Sequence, residues 1–483
     1  MKRSLLTASA TSLAELIRQG EVRSVDVVNA HIAHLREVNG DINAVVVDRI
    51  DEARREATLA DSRLREEGPD GLPPFHGVPC TIKECFALEG MPQTGGLVAR
   101  RDHIATTDAT AVHRLRSAGA IPIGVTNVSE LCMWMETSNA LYGRSKNPYD
   151  PSRIVGGSSG GEGAIVGAGA SPFGLGADIG GSIRMPAFFN GVFGHKPSGG
   201  LVPGTGQWPI AENEALRYLT TGPIARRAED LMPLLRVLAG PDGVDTGCEA
   251  IDLGDPNQVA LGDLRVLHIA HNGNGPVHQD LAEAQVRCVE HLQQLGATIG
   301  LPEFPKLRRS YDIWSASLYR AADTSFADYM GYDRRFRPIR DSLRWFTGTS
   351  PHTLPALALA VFEKTPGLIP GQVQRWMAAG HELRQELETA LGTDGVLLFP
   401  SYPRPAPRHY RPLLRPLSFV YTAIFNILQV PVTQVPLGLN QEGLPVGIQV
   451  VAAWGQDHLT IAVAQELERA FGGWVPPPRL FDA

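Results

Sequence analysis

The chain has 483 residues, 43% of them hydrophobic and 20% charged, with a formal net charge of −7. A chain of that size and composition can bury a large core without disulfides or structural metals, and its acidic balance excludes a general attraction to nucleic acid or anionic lipid. Its five cysteines, Cys80, Cys85, Cys132, Cys248 and Cys288, form neither a CxxC pair nor the spacing of a secreted disulfide framework, so reduced thiols in the cytoplasm are expected.

In chain order, the start is basic and contains Ala8-Ser9-Ala10, but its apolar core is only Leu5-Leu6, against the roughly 7–15 residues of a secretory signal. No run of about 20 apolar residues follows, so no membrane-spanning helix is expected. Residues 12–66 read as helices. Ser12-x-x-Glu15 has the form of a capping box, and Ser24 is the expected cap of a second helix with Val27, Val28, Ile32 and Leu35 on one face. Residues 51–67 suit an exposed helix, and 68–74 a turn. Strands are expected at 77–82 and 121–125 with a helix at 110–118 between them, a β-α-β unit of a mixed α/β sheet. From 156 to 206 the chain is dense in glycine, which implies tight turns and close packing.

A strand at 264–270 and a helix at 280–295 resume the α/β pattern. Residues 305–380 read as helical and aromatic, with Trp314, Tyr319, Tyr329, Phe336, Trp345, Phe346 and Trp376; they form either a mobile cap or a helical layer on the sheet. Strands at 395–399, 433–436 and 446–451 and a helix at 457–471 close the chain. The expected architecture is one α/β unit over residues 1–483, a single large mixed β-sheet covered by helices on both faces. Its parts are a helical N-terminal region (1–67), a catalytic core (75–240), the helical cap or layer (305–380) and an α/β return (390–475).

Three motifs carry chemistry. Lys83 closes Gly77-Val78-Pro79-Cys80-Thr81-Ile82-Lys83. Ser158 lies in Gly156-Gly157-Ser158-Ser159-Gly160-Gly161, and Ser182 in Asp178-Ile179-Gly180-Gly181-Ser182-Ile183-Arg184. Glycine-flanked serines allow a reacting carbonyl to approach the backbone, and the N–H groups of Ile179, Gly180, Gly181 and Ser182 are candidate oxyanion donors. A lysine serving as base must shed its proton, which burial and nearby cations favour; Val78, Cys80 and Ile82 imply a buried strand.

Together these are the parts of an acyl-transfer site. Gly157–Gly161 also fits the G-x-S-x-G elbow of α/β-hydrolases, but that elbow needs a strand before it and only Ile154-Val155 is apolar there. No phosphate loop or dinucleotide fingerprint is present, and the 14 histidines form no metal-binding set, so neither cofactor nor metal is expected.

These motifs, with Gly443-Leu444-Pro445-Val446-Gly447-Ile448-Gln449 and Asp457 further on, resemble the amidase signature family of serine hydrolases over nearly the whole chain. The resemblance implies Ser182 as nucleophile, Ser158 as a bridging serine behind a cis peptide from Gly157, and Lys83 as base. Ser159, Asp178 and Arg184 take supporting places, with Ser159 the runner-up nucleophile. Within the family, His195-Lys196-Pro197-Ser198 and Gly204-Thr205-Gly206-Gln207-Trp208-Pro209 resemble the fatty-acid amide hydrolase 2-like branch.

The implied reaction is hydrolysis of aryl or alkyl amide C–N bonds, and of some esters, through a Ser182 acyl-enzyme. Carbamate hydrolysis by the same triad and a glutamine-hydrolysing amidotransferase subunit are the alternatives. The expected partner is a small-molecule amide, ester or carbamate; a homodimer is compatible with the sequence. Trp208 and the aromatics of 305–380 suggest an apolar or aryl pocket.

Overall fold

The computed structural model describes residues 2–332, 334 and 336–481. Its strands are β1 (Val45–Asp48), β2 (Pro79–Lys83), β3 (Ile121–Thr126), β4 (Ser138–Asn139), β5 (Gly143–Arg144), β6 (Phe173–Asp178), β7 (Phe193–Lys196), β8 (Thr220–Ala225), β9 (Arg265–His268), β10 (Thr298–Gly300), β11 (Gly395–Phe399), β12 (Val432–Leu439) and β13 (Pro445–Ala452). Among the described residues β4 and β5 pair with each other and the other eleven form one sheet, in the order β1-β3-β2-β6-β8-β7-β12-β13-β11-β9-β10. The sheet is mixed. β2 runs parallel to both β3 and β6, and β9 parallel to β10 and β11. The pairings from β6 through β8, β7, β12 and β13 to β11 are antiparallel.

Every residue of β2, β3, β6, β8, β11 and β13 is buried, so both faces of the sheet need cover. Alternate residues of β11 show how it is supplied. Val396 and Leu398 pack with Leu281 and Cys288 of the Gln279–Gln294 helix and with Ile461 and Leu467 of the Asp457–Phe471 helix. Leu397 and Phe399 face the opposite core, with Ile313, Leu383 and Ile424 from the Ser310–Ala321, Gln372–Leu391 and Val420–Ile427 helices. Nearer the N-terminus, Val28 and Ile32 of the Ser24–Ile42 helix share a core with Ile123 of β3 and Ile165 of the Gly160–Gly167 helix. Among the described residues no helix is long and apolar enough to cross a membrane.

Some local expectations are corrected. The first amphipathic helix is Ala10–Arg18 and is capped by Ser9, which accepts from the Ser12 amide; Ser12 lies inside it. The Asp230 carboxylate, from far along the chain, takes the Ala10 and Thr11 amides at 2.9 and 2.8 Å. Ser24 likewise is not a cap: Asp61 accepts the Ser24 and Val25 amides, and the Ser24 hydroxyl donates to Gly77 O at 2.7 Å. β1 interrupts the stretch 12–66 that read as helices alone, after Asn43 ends the preceding helix in the left-handed region (φ 49°). At Ser24 a tertiary partner, Asp61, overrides the local signal.

Candidate active site

Two parallel strands deliver the site. β2 ends on Lys83, and its neighbour β6 ends on Asp178, whose chain runs straight into the turn bearing Ser182. Lys83 is 1% exposed. Its Nζ lies 2.8 Å from Ser158 Oγ and 3.2 Å from the Ala177 carbonyl of β6. Ser158 precedes the Gly160–Gly167 helix, and the Gly157–Ser158 peptide is cis. Glycine at 157 is required sterically, since a Cβ there would collide with the Trp134 carbonyl oxygen. Ser159 ties the two serine motifs together: its amide donates to Ser182 O at 3.2 Å, and its hydroxyl donates to Ala177 O at 3.2 Å.

Ser182, 7% exposed, is held by a carboxylate hub. The Asp178 side chain accepts from the Gly181 amide (2.7 Å), the Ile183 amide (3.0 Å), Arg184 Nε (3.0 Å) and Asn426 Nδ2 (2.9 Å). Arg184 reaches on to Thr422 O, Gln449 Oε1 and Asn426 Oδ1 at 2.8, 2.9 and 2.6 Å. Burial works to raise the Asp178 carboxyl, but the adjacent Arg184 cation and these donors outweigh it and hold it well below the usual carboxylate range. One candidate oxyanion donor is thereby engaged: the Gly181 amide points at Asp178. The amides of Ile179, Gly180 and Ser182 make no bond to that carboxylate.

Lys83, Ser158 and Ser182 line one cavity of about 590 Å³. Its wall also includes Cys132 and Ile210, which no motif marks, and Gln207 from Gly204–Pro209. Residues 305–380 contribute Trp314, Tyr319 and Tyr329, while Phe336, Trp345, Phe346 and Trp376 are not among the lining residues. Trp208 is not a lining residue either. Its ring is packed between the Arg100 guanidinium, 4.0 Å from the centroid, and the edges of Tyr329 and Tyr332. It serves the core behind the pocket, and its neighbours Gln207 and Pro209 form the wall.

Buried carboxyls sit near the lysine. Burial pushes Glu162 up to about 8 despite the Thr81 and Thr126 hydroxyls that donate to it at 2.6 and 2.8 Å. Burial raises Glu84 to about 7. Asp457 stands apart from the cavity lining, accepting from His195 Nε2 and the Ser198 amide, each at 3.0 Å, and so joins β7 to the C-terminal helix. Among the described residues no group of three or more His, Cys, Asp or Glu side chains is placed to hold a metal ion.

Two serines and a buried lysine meet in one cavity on a mixed α/β sheet, the fold of an amide hydrolase class, and the chain belongs to the amidase family, which its residues 26–461 match. It is an amidase-family hydrolase of small-molecule amides. It is 47% identical to human fatty-acid amide hydrolase 2 over 489 residues, spanning 98% of this chain and 91% of that protein. Its identity to fatty-acid amide hydrolase 2-A of Danio rerio is 48%, spanning 98% and 90%. Among solved structures, 6-aminohexanoate cyclic dimer hydrolase superposes with a TM-score of 0.82 at 27% identity, covering 98% of this chain and 99% of that one. The likeness of His195–Ser198 and Gly204–Pro209 to the fatty-acid amide hydrolase 2-like branch agrees with these relatives.

Proposed function

We propose that the chain hydrolyses amides through an acyl-enzyme on Ser182, with Ser158 and Lys83 as its proton relay. The observation that carries this reading is the 2.8 Å contact of Lys83 Nζ with Ser158 Oγ inside the cavity that also receives Ser182. Ser182 Oγ attacks the carbonyl carbon while its proton passes to Ser158 and the Ser158 proton to the Lys83 amine. The oxyanion that forms rests on the amides of Ile179, Gly180 and Ser182, and Gly181 contributes by holding the turn through Asp178. The relay then returns the proton to the leaving nitrogen, and water repeats the sequence on the ester.

Met133, Ile179, Ile210, Leu318 and Tyr319 give the cavity an apolar wall, which supports an acyl or aryl group without charge as the substrate's body. The identity to fatty-acid amide hydrolase 2 supports an extended aliphatic acyl chain. The continuous sheet supports action of residues 1–483 as one unit. The five cysteines, none in a disulfide, support a reducing compartment, the cytoplasm.

The test is nitroaniline release from acyl nitroanilides of increasing chain length, with matched esters and carbamates. Wild type is expected to turn over unaided and to favour the longer acyl groups. Ser182→Ala should lose at least about 10³-fold, and Lys83→Met and Ser158→Ala about 10²–10⁴-fold. Full activity in Ser182→Ala overturns the reading. Turnover that appears only on adding a second protein moves the chain to the amidotransferase alternative, and a large preference for the carbamate moves it to the urethane alternative.

A further inference from the structure

The Ile179–Gly180 peptide is held from outside the turn. Trp314, on the Ser310–Ala321 helix, donates its indole N–H to the Ile179 carbonyl at 2.9 Å. In a trans peptide the C=O and the following N–H point in opposite directions, so fixing the Ile179 oxygen on the tryptophan also fixes the aim of the Gly180 N–H. The indole itself is anchored. Phe419 stacks edge-on against it, with centroids 4.9 Å apart and planes at 75°, and a Cβ on Gly180 would lie 3.5 Å from Trp314 Cζ2. The next peptide is tied separately, because Thr422 Oγ1 donates to the Gly180 carbonyl at 2.9 Å while the Gly181 N–H faces Asp178.

We propose that Trp314 is a positioning residue for transition-state stabilisation: its indole N–H locks the Ile179–Gly180 peptide so that the Gly180 amide faces the developing oxyanion. This rests on the acyl-enzyme reading above. It also gives the 305–380 helices a second role, since one of them both walls the cavity and sets the catalytic turn. Thr422 fixes a peptide whose N–H is already committed to Asp178, so its loss bears less on the hole.

Trp314→Phe removes the N–H and keeps a ring against Phe419 and Gly180. It is expected to lower kcat roughly 10–100-fold with KM little changed, part or all of the value of one oxyanion donor. A decisive second measurement compares two ketones with the same acyl chain. A trifluoromethyl ketone forms an oxyanion adduct with the serine, and the plain methyl ketone binds without one. Trp314→Phe should weaken the first by the same factor as kcat/KM and leave the second unchanged, whereas Thr422→Val should weaken it less.

Benzothienylalanine at position 314 keeps the indole's size while lacking the N–H, and it should reproduce the Phe result if that variant folds poorly. Unchanged kcat and unchanged trifluoromethyl ketone affinity, or equal weakening of both ketones, overturns the role and leaves Trp314 a cavity wall. If instead the trifluoromethyl ketone binds wild type and Ser182→Ala equally, the acyl-enzyme reading itself fails.

Discussion

Asp178 and Arg184 place opposite full charges, both wholly buried, beside the proposed nucleophile's turn. The arrangement is stable because each oxygen and each guanidinium nitrogen involved finds a partner, from Gly181 and Ile183 at one end to Asn426 and Gln449 at the other. Removing one partner strands the other charge. Arg184→Met is therefore expected to cost about 3–5 kcal/mol in urea unfolding and to abolish turnover in whatever fraction stays folded. Cys132 is a second residue with its own chemistry. Its thiol is hydrogen-bonded with Cys85 and lies beside Lys83 and Ser158, which together hold it below the ordinary thiol range against the opposing effect of burial. Because it lines the cavity, iodoacetamide should inactivate the enzyme at neutral pH, and Cys132→Ser should keep nitroanilide activity while resisting the reagent. Equal inactivation of both proteins would place the reactive group elsewhere.

At the scale of elements, the glycines explain both a structural device and what the sequence concealed. The Gly160–Gly167 helix is made of Gly-Gly-Glu-Gly-Ala-Ile-Val-Gly, a poor helix by propensity. It forms because its glycines let it press on its neighbours: a Cβ on Gly163 would lie 2.7 Å from Pro186 O, and one on Gly161 would strike the Asn127 backbone. Gly163→Ala should therefore lower stability by about 1–3 kcal/mol in chemical unfolding, although alanine is the better helix former; a stabilised variant would refute the packing argument. Other glycines hid β6, Phe-Gly-Leu-Gly-Ala-Asp, because Gly174 and Gly176 break up its apolar run and read as turn residues. By contrast β2, β3, β11 and β13 and the Asp457–Phe471 helix were legible from apolar runs or helical periodicity, each within a few residues of its expected bounds. Of the candidate site, Lys83, Ser158 and Ser182, which the structure brings to one cavity, could be picked out because each sits in a contiguous motif. Trp314, Thr422 and Asn426 act through contacts more than a hundred positions away, and no local pattern announces such a role.

For the molecule as a whole, the sheet's centre stores a charge at some cost. Lys196, the last residue of β7, is fully buried, and burial followed by repulsion from Arg184 pulls its amine down to about 7. A lysine with a lowered folded-state value binds fewer protons folded than unfolded between about 7 and its ordinary value. Its contribution to stability therefore rises with pH across that window, and below about 7 the full penalty of a buried ammonium is present. Lys196→Met should be the more stable protein at pH 6, and its advantage over wild type should shrink steadily towards pH 10 in parallel urea titrations. A difference that stays constant with pH would mean that the amine is not the source.

The Arg184–Gln449 bond joins residues 265 positions apart, and the Asn426 bonds to Arg184 and Asp178 span 242 and 248. On a ribosome adding about 5–20 residues per second, the Ser182 turn is made roughly 10–50 s before the strand that completes its support. The nascent chain thus carries its proposed nucleophile on a loop held by Asp178 and Arg184 alone, before Trp314, Asn426 and Gln449 exist to brace it. The bracing is added in stages along the chain and is completed only with β13.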